Sequence, residues 1–349
     1  MADASDEIRA AIAAAGGAVP FSEFQRLALY GVDGFYTRPD GGRAGRRGGA
    51  FVTSAEVGPL FGAVLARYLD FHWDAVGRPA PFTVVDAGAG PGTLARSVFA
   101  ARPACLDAMR YVAVEVSARQ RRLHPDGVES RADLPDGPFD GVIVANELLD
   151  NVPFRLCVFD GAWREAFVVA AGESRFAEVL SAPFDPRPPM LPPAPALGSR
   201  APLHTAAVDW VVDARSRLRR GRLIALDYWR PTTASLAGRS WREWLRTYRH
   251  HARGDHYLVD PGSQDITVEL ALDQFPAPAA VSTQAHFLRR WGIDELVDEG
   301  DRQWSARVTA PDLRAMAMRS RSVEAATLVD PAGLGAFVAV EWSGTVSSG

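Results

Sequence analysis

The stretch VVDAGAGPGTLA, residues 84–95, constrains the fold of this chain more than any other. An apolar run, FTVV, leads into Asp86, glycines follow at positions 88, 90 and 92, and TLARSVFAA has the pattern of the first turns of a helix. An apolar strand, a tight glycine turn and a helix form the first half of a βαβ unit. Glycines let the backbone approach a ligand closely, and a helix N-terminus offers free N–H groups. The stretch therefore predicts a site for a nucleotide-like ligand.

The spacing of the glycines indicates which ligand the loop holds. Dinucleotide sites have the pattern G-x-G-x-x-G, with a pyrophosphate at the helix N-terminus. Here the pattern is G-x-G-x-G, and Asp86 precedes it. A carboxylate beside the loop would repel a pyrophosphate and would suit a ligand that carries positive charge. S-adenosylmethionine has an ammonium, a sulfonium and no phosphate. The alternative is a glycine-rich turn that binds no ligand.

Composition limits the class of protein. The chain has 349 residues, 47% of them hydrophobic, and a net charge of −4, so no general affinity for nucleic acid or for an anionic membrane is expected. Its two cysteines exclude a disulfide framework and a four-thiolate zinc site. No basic segment followed by an apolar one begins the chain, and no apolar run reaches membrane-spanning length. These features predict a cytoplasmic bacterial protein without a metal.

Helical patterns dominate the chain before the glycine loop. Residues 4–15 and 20–30 are predicted helices, with Ser22 as a candidate N-cap of the second. The stretch TSAEVGPLFGAVLARYLDFHW is predicted as one helix that Ser54 caps. Its apolar positions form one face: Val57, Leu60, Phe61, Val64, Leu65 and Leu69.

Strand and helix patterns alternate from the glycine loop onward. The strand patterns are FTVVDAG, RYVAVEVS, FDGVIVAN, RLIALDYW and LGAFVAVEW. The stretch CVFDGAWREAFVVAA is a predicted hairpin, and residues 183–202 form a predicted proline-rich surface excursion. Strands linked by crossover helices predict a doubly wound parallel sheet, with ligands bound at the carboxyl ends of its strands.

An acid ends the second strand of the predicted sheet. This residue, Glu115, ends the strand that follows the glycine loop and its helix. In this architecture an acid at that place binds the ribose hydroxyls of the ligand, in NAD sites and in S-adenosylmethionine sites alike. The alternative is an ordinary carboxylate at a strand end that faces water.

Further polar residues follow the next two strands. Glu147 and Asp150 come just after FDGVIVAN, and one helical turn would put both on the same side, where they could grip a cationic group. The alternative is a helix start, with Asn146 as N-cap and the acids favoured by the helix dipole. Asp227 and Tyr228 end the next strand and are predicted to point into the same crevice, with core packing as the alternative for Tyr228.

With these residues in view, the chain resembles the class I methyltransferases of the mitochondrial complex I assembly factor and its bacterial, MidA-like relatives. Two N-terminal segments, LYGVDGFYTRP and GGAFVTSAEVGPLFG, resemble family segments. DAGAGPGTLA, VEVS and ANELLDNVPF resemble its cofactor loop, its ribose acid and its NEFxDALP motif. Later matches are LIALDYW, DPGSQDITVEL, STQAHFLRRWGI and LVDPAGLGAFVAV, so the resemblance covers most of the chain.

The resemblance implies an α/β fold with a Rossmann-like, doubly wound class I methyltransferase sheet. Its parts would be an N-terminal helical cap and lid (1–78), a cofactor-binding core (79–230), a substrate-side insertion (231–290) and a C-terminal part that completes the core sheet (291–349). The implied cofactor is S-adenosyl-L-methionine. The residues that would bind it are Thr53, Ser54, Asp86, Gly88, Ala89, Gly90, Gly92, Glu115, Val116 and Asn146.

The resemblance also implies an acceptor, the guanidinium of an arginine in a protein. Glu147 and Asp150 would hold the planar guanidinium and localise its charge, and Asp227 and Tyr228 complete the predicted catalytic set. Two alternatives stay open. One is a small-molecule methyltransferase, in which Trp229 would stack a flat substrate. The other is an assembly or scaffold protein that uses the same fold.

The sequence departs from the family pattern at two places on the acceptor side. Ala50 stands where the family has an acid, and Trp229 stands where a glycine is usual. Both departures would reshape the acceptor side, whereas the cofactor motifs are intact.

Overall fold

The computed structural model describes residues 4–38, 53–172, 175–249, 252–309 and 312–344. Backbone contacts divide the chain into two compact units, each assembled from three segments. Unit 1 consists of Met1–Phe51, Leu148–Val212 and Asp227–Pro276. Unit 2 consists of Val52–Glu147, Asp213–Leu226 and Ala277–Gly349. Ala50 lies outside the described residues, and the four-part division predicted from the sequence stays a prediction.

The sheet of unit 2 carries the glycine loop. Within the described part of the chain its strands, in spatial order, are Ala280–Thr283, Val338–Ser343, Leu218–Asp227, Phe139–Asn146, Phe82–Ala87, Met109–Val114 and Glu129–Arg131. The last five of these run parallel to one another, and the first two are antiparallel to each other. All six residues of Phe82–Ala87 are buried, as expected for a strand with neighbours on both sides and helices on both faces. This sheet confirms the predicted α/β class.

Helices pack on this sheet. They are Ser54–Val57, Pro59–Ala75, Thr93–Ala101, Ala118–Arg121, Gln284–Arg290, Ile293–Ser305 and Leu313–Leu328, with short 3-10 turns at Leu106–Ala108 and Leu334–Ala336. Thr205–Ser216 begins in unit 1 and ends in unit 2. The helix Pro59–Ala75 buries Val64, Leu65 and Leu69 in one core with Phe82. Burial of each such side chain contributes about 1.5–3 kcal/mol.

The helix predicted over TSAEVGPLFGAVLARYLDFHW is two helices, Ser54–Val57 and Pro59–Ala75. Gly58 separates them in an extended conformation, because the ring of a proline disfavours helical backbone in the residue before it. Thr53 occupies the N-cap position of the first helix, so the predicted serine cap is wrong. The predicted apolar face is confirmed, since all six of its side chains are buried.

Unit 1 contains antiparallel strands, one short parallel pair and short helices. One sheet has the order Val19–Pro20, Trp163–Ala170, Arg155–Phe159 and Arg200–Leu203, and Phe176–Pro183 also pairs with Trp163–Ala170. A second joins Leu245–Arg249 to Ala252–Arg253 and Asp265–Val268, and a third pairs Trp229–Arg230 with Leu270–Ala271. The predicted hairpin is confirmed by the register Cys157↔Glu165 and Phe159↔Trp163.

The helices of unit 1 pack aromatic side chains into its core. They are Ala4–Ala14, Phe21–Tyr30, Thr233–Ala237 and Trp241–Trp244, with 3-10 turns at Leu149–Asn151 and Leu272–Gln274. The two predicted N-terminal helices are confirmed, but the second begins at Phe21 after Pro20, so Ser22 is not its cap. Phe21 packs against Phe154 and Tyr257, with ring centroids 5.1 and 5.0 Å apart. Among the described residues, no helix has the length and apolarity that crossing a membrane requires.

Candidate functional site

The glycine loop has the strand–turn–helix geometry that its sequence predicts. The strand Phe82–Ala87 ends before it, and the helix Thr93–Ala101 begins directly after Gly92. Gly90 and Gly92 have positive φ angles of 54° and 82°, which side chains rarely tolerate. A Cβ atom at Gly92 would also lie 2.9 Å from the Pro125 ring, so both backbone angle and packing require glycine there.

Glu115 joins the loops that follow two neighbouring strands. It comes directly after Met109–Val114, and its side chain is nearly buried. Its Oε2 accepts a hydrogen bond from the Gly90 N–H (3.0 Å), and its Oε1 accepts one from the Ser117 N–H (2.8 Å). Burial raises the pKa of Glu115, and the backbone N–H donors oppose that rise. The predicted ribose acid is therefore held against the glycine loop.

Asp86 lies beneath the loop rather than on its surface. It is 3% exposed, and its Oδ2 accepts a hydrogen bond from the Tyr111 hydroxyl (3.1 Å). Burial raises the pKa of Asp86 to about 7. Its role in binding a cationic group of the cofactor stays a prediction.

Other side chains around the loop differ in exposure. Ala89 is buried, and its N–H donates to the Val114 carbonyl (3.0 Å). Val116 is 56% exposed although it follows the buried Glu115. His124 and Gln120 were not predicted: His124 Nε2 lies 2.9 Å from the Gly90 carbonyl oxygen, and Gln120 is buried beside the same glycine. Nothing in the sequence around Gln120 and His124 marked them as residues that lie beside the glycine loop.

The helical turn Ser54–Val57 is fastened to three other parts of unit 2. The Ser54 N–H donates to Glu147 Oε1 (2.9 Å), and the Ser54 hydroxyl donates to Gln284 Oε1 (3.0 Å). The Thr93 hydroxyl donates to Glu56 Oε1 (2.6 Å), which links the turn to the first residue of the helix after the glycine loop. The neighbouring Thr53 is 9% exposed. The turn is thus tied to the ends of two strands of the sheet.

Glu147 follows the strand Phe139–Asn146 with a left-handed backbone, φ 52°. Such an angle is uncommon for a residue with a side chain, and it is seen most often where the surrounding structure enforces it. The Glu147 N–H donates to the Leu226 carbonyl (2.9 Å), and the Asn146 Nδ2 donates to Glu147 Oε1 (3.4 Å). Asn146 is the last residue of a strand, so its predicted alternative as a helix N-cap is wrong.

The helical turn predicted to contain Glu147 and Asp150 is also different. A 3-10 turn, Leu149–Asn151, begins only after Glu147, and the two acids belong to different units. Asp150 is 3% exposed in unit 1, and Glu147 is half-buried in unit 2. Their shared role in binding the acceptor stays a prediction.

Asp227 holds the 3-10 turn of unit 1 in place. It is fully buried, and its carboxylate accepts hydrogen bonds from the backbone N–H groups of Leu149 (3.0 Å), Asp150 (3.2 Å) and Tyr228 (2.9 Å). Burial raises the pKa of Asp227. Three backbone donors on one carboxylate give this residue a structural function, whatever else it does.

The aromatic residues after Asp227 lie in separate surroundings. The Arg246 guanidinium lies over the Tyr228 ring, 4.5 Å from its centroid. Trp229 is 5% exposed and packs edge-on against Phe275, with ring centroids 4.8 Å apart. Trp229 therefore belongs to the core of unit 1.

A second buried acid in unit 1 was not predicted. Asp265 is 2% exposed, and its Oδ1 accepts hydrogen bonds from the Tyr36 hydroxyl (3.0 Å), the Asn151 Nδ2 (2.9 Å) and the Ile266 N–H (2.9 Å). Burial raises its pKa to about 7. Tyr36, Asn151 and Asp265 come from three separate motifs of the sequence, which gave no signal that they meet.

Comparisons with known proteins support the ligand that was predicted for the glycine loop. The sequence family described as S-adenosyl-L-methionine-dependent methyltransferase matches residues 64–287. The protein arginine methyltransferase NDUFAF7 homolog, mitochondrial, of Drosophila melanogaster is 26% identical over 296 residues, 73% of this chain and 65% of that protein. The match thus spans less than two-thirds of the length of this curated relative.

Two solved structures from Burkholderia thailandensis resemble the whole chain. One is a COG1565 superfamily member bound to S-adenosyl-homocysteine, with a TM-score of 0.81 and 28% identity over 99% of this chain and 92% of that one. The other is a native crystal structure from the same superfamily, with a TM-score of 0.79 and 26% identity over the same shares. On these similarities, and on the glycine loop with Glu115 beside it, the chain belongs to the S-adenosyl-L-methionine-dependent methyltransferases and uses that cofactor.

Proposed function

We propose that this chain transfers a methyl group from S-adenosyl-L-methionine to a guanidinium nitrogen of an arginine in a protein. The observation that carries the proposal is the position of Glu147, a half-buried acid in a left-handed conformation. It lies at the carboxyl end of the strand that neighbours the glycine-loop strand. Open α/β sheets bind ligands at that edge. The name of the Drosophila relative, a protein arginine methyltransferase, supports the same acceptor.

In this proposal the predicted cofactor residues keep their roles. Glu115 would accept hydrogen bonds from the ribose hydroxyls, because its carboxylate is held at the glycine loop. The exposed Val116 side chain offers an apolar surface for the adenine. Asp86 would face the ammonium group, and the loop backbone, Ala89 included, would complete the site. Thr53, Ser54 and Asn146 would border it. The sheet of unit 2 would then be the predicted Rossmann-like core.

The Glu147 carboxylate explains how a guanidinium could react. The bound cofactor supplies an electrophilic methyl group on a sulfonium. Arginine is always protonated in water, and its charge is spread over three nitrogens. Glu147 would bind one of these nitrogens and draw the charge toward it, which leaves a usable lone pair on another, and the nitrogen that gains the methyl group would lose one proton to solvent. Catalysis would consist chiefly of holding the nitrogen in line, because displacement at a methyl group needs little else from the protein.

The structure weakens one premise of the small-molecule alternative. That alternative relied on Trp229 as a stacking surface for a flat substrate. Trp229 is 5% exposed and packs against Phe275 instead. A protein acceptor needs no such surface, and so it is the acceptor that we favour.

Transfer of a labelled methyl group tests the proposal. The purified protein would be incubated with methyl-labelled cofactor and undialysed lysate of the source cells. Small molecules would then be separated from protein, and the labelled protein hydrolysed to amino acids. We expect the label in methylarginine. Label in a small molecule, or in another amino acid, would contradict the proposed acceptor. The Glu115→Gln variant is the control, since it should bind the cofactor about 100-fold more weakly and therefore label far less at the same cofactor concentration.

A further inference from the structure

Gln284 is a fully buried amide at the first position of the helix Gln284–Arg290. Its Nε2 donates to the Leu328 carbonyl (3.1 Å), at the end of the helix Leu313–Leu328. Its Oε1 accepts from the Ser54 hydroxyl (3.0 Å). Both ends of the amide are thus paired, as a buried polar group requires.

Ser54 passes this connection on to Glu147. Its side chain is fully buried, its hydroxyl donates to Gln284, and its N–H donates to Glu147 Oε1. A continuous path of hydrogen bonds therefore runs from Leu328 through Gln284 and Ser54 to the Glu147 carboxylate. Every member of this path, which we call the Ser54 clamp, lies within unit 2.

The backbone of Glu147 adopts a conformation that the surrounding structure has to stabilise. Its φ of 52° lies in the left-handed region, which costs free energy unless the surroundings enforce it. The clamp fixes one carboxylate oxygen, and the Leu226 carbonyl fixes the Glu147 N–H. Buried hydrogen bonds of this kind are costly to leave half-made. Loss of Gln284 should therefore loosen Ser54 and, through it, the direction of the Glu147 carboxylate.

We propose that Gln284 is a positioning residue for methyl transfer, which orients Glu147 through Ser54. The inference rests on the proposed function, because only there does Glu147 bind the acceptor. Gln284 itself touches neither the acceptor nor the cofactor in this proposal. Its effect on the rate of transfer should thus exceed its effect on cofactor affinity, which Ser54 influences only from the border of the cofactor site.

Three variants test the clamp. Gln284→Met keeps a similar volume and removes both side-chain hydrogen bonds. Ser54→Ala removes only the hydroxyl and keeps the N–H that donates to Glu147, so it serves if Gln284→Met does not fold. Gln25→Met is the matched control: Gln25 is also fully buried and bridges two backbone groups, Phe154 N–H and Ile266 C=O, but it lies in unit 1.

Amide hydrogen exchange of the free protein measures the clamp without an acceptor. We expect exchange in peptides that cover residues 53–60 to become about tenfold faster in Gln284→Met and in Ser54→Ala. Gln25→Met should leave these peptides unchanged. Unchanged exchange at 53–60 in both clamp variants would overturn the proposal.

Rates of methyl transfer test the function of the clamp. With labelled cofactor and dialysed lysate protein as the acceptor pool, we expect Gln284→Met to lower the rate at saturating cofactor about tenfold. Its affinity for S-adenosylhomocysteine should fall by a smaller factor than the rate does. Combined with Glu147→Gln, it should lower the rate no further, because both changes act on the same carboxylate. A purely structural role predicts the same fractional loss in either background.

The outcomes separate the two proposals. An unchanged rate in Gln284→Met, or a full further loss in the double variant, overturns the role of Gln284 alone. Label on an acceptor other than arginine overturns the proposed acceptor, while the double-variant comparison still decides the role of Gln284. A wild-type protein that labels nothing overturns both.

Discussion

In each unit a buried aspartate accepts a hydrogen bond from a tyrosine hydroxyl. Tyr111 donates to Asp86 in unit 2, and Tyr36 donates to Asp265 in unit 1. The two acids are 3% and 2% exposed, and burial raises the pKa of each to about 7. They differ in their other partners. Asp265 also accepts from Asn151 and from its own following N–H, whereas among the described residues Tyr111 is the only donor to Asp86.

This difference shows that burial alone does not reveal what a carboxylate does. All three donors to Asp265 belong to unit 1, and these hydrogen bonds hold separate segments of that unit together. Asp86 has acceptor capacity left, and it lies under the glycine loop, which is the proposed cofactor site. A carboxylate has about four lone-pair sites, so a further cationic donor is what Asp86 can accommodate.

The acids that end two neighbouring strands show the same contrast. Glu147 follows Phe139–Asn146, and Asp227 ends Leu218–Asp227, so their positions in the sequence pattern are equivalent. Asp227 is fully buried and takes three backbone donors, whereas Glu147 is half-buried. Equivalent places in the pattern thus serve stability in one unit and, in our proposal, the acceptor in the other.

The largest expected effect is on turnover. Glu147→Gln keeps an oxygen to accept the Ser54 N–H and removes only the charge. Loss of one charged hydrogen bond to a desolvated guanidinium should cost about 2–4 kcal/mol, or roughly 30- to 1000-fold in kcat/KM. Asp150→Asn makes the same change in unit 1. Equal losses of kcat/KM in the two variants would indicate that each acid contributes to acceptor binding. Normal turnover in Glu147→Gln would show that Glu147 does not bind the acceptor.

The next effect is on cofactor affinity. In Glu115→Gln an amide N–H₂ would face the N–H of Gly90 or of Ser117, and the charged acceptor for the ribose is lost. We expect S-adenosylhomocysteine to bind about 100-fold more weakly, as measured by calorimetry. Asp265→Asn is the matched change in unit 1, and its affinity should equal that of the wild type. Normal affinity in Glu115→Gln would leave the ribose acid unidentified.

A smaller effect separates Asp86 from Asp265 by pH. If ionised Asp86 holds the cofactor ammonium, affinity should rise as pH rises through about 7 and fall up to about tenfold per pH unit below it. Asp86→Asn should bind about tenfold more weakly at pH 8 and lose this pH dependence. Asp265→Asn should keep it. Calorimetry at pH 6, 7 and 8 decides, and an Asp86→Asn variant with the wild-type profile would contradict the role.

The smallest expected effect is on the pH dependence of the unfolding free energy, to which Asp265 contributes. Its pKa is raised on folding, so the folded state binds the proton more tightly than the unfolded chain does. Its contribution to stability is therefore largest at low pH and is lost as pH rises through about 7. Asp265→Asn should flatten the fall in unfolding free energy between pH 5 and pH 7 by up to about 1.4 kcal/mol per pH unit. Urea denaturation at several pH values measures this slope, and an unaltered slope would assign the titration to other acids.

The sequence by itself determined the local structure and the class of ligand. The glycine turn, the strand that precedes it and the apolar face of the helices follow from spacing and periodicity, which act over a few residues. The hairpin at Cys157–Ala170 follows from two apolar runs around a short turn. One helix was predicted wrongly. The apolar pattern indicated a single continuous helix, but Pro59 divides it into two.

Only the tertiary structure decided which acids meet which partners. Ser54 lies 93 residues from Glu147 and 230 from Gln284, and Tyr36 lies 229 residues from Asp265. Such pairs form only after the strands have taken their order in a sheet, which no local pattern encodes. The left-handed backbone of Glu147, and the passage of the chain from unit 2 to unit 1 directly after it, likewise arise from packing. For that reason two acids three residues apart, alike in sequence, differ in burial and in surroundings.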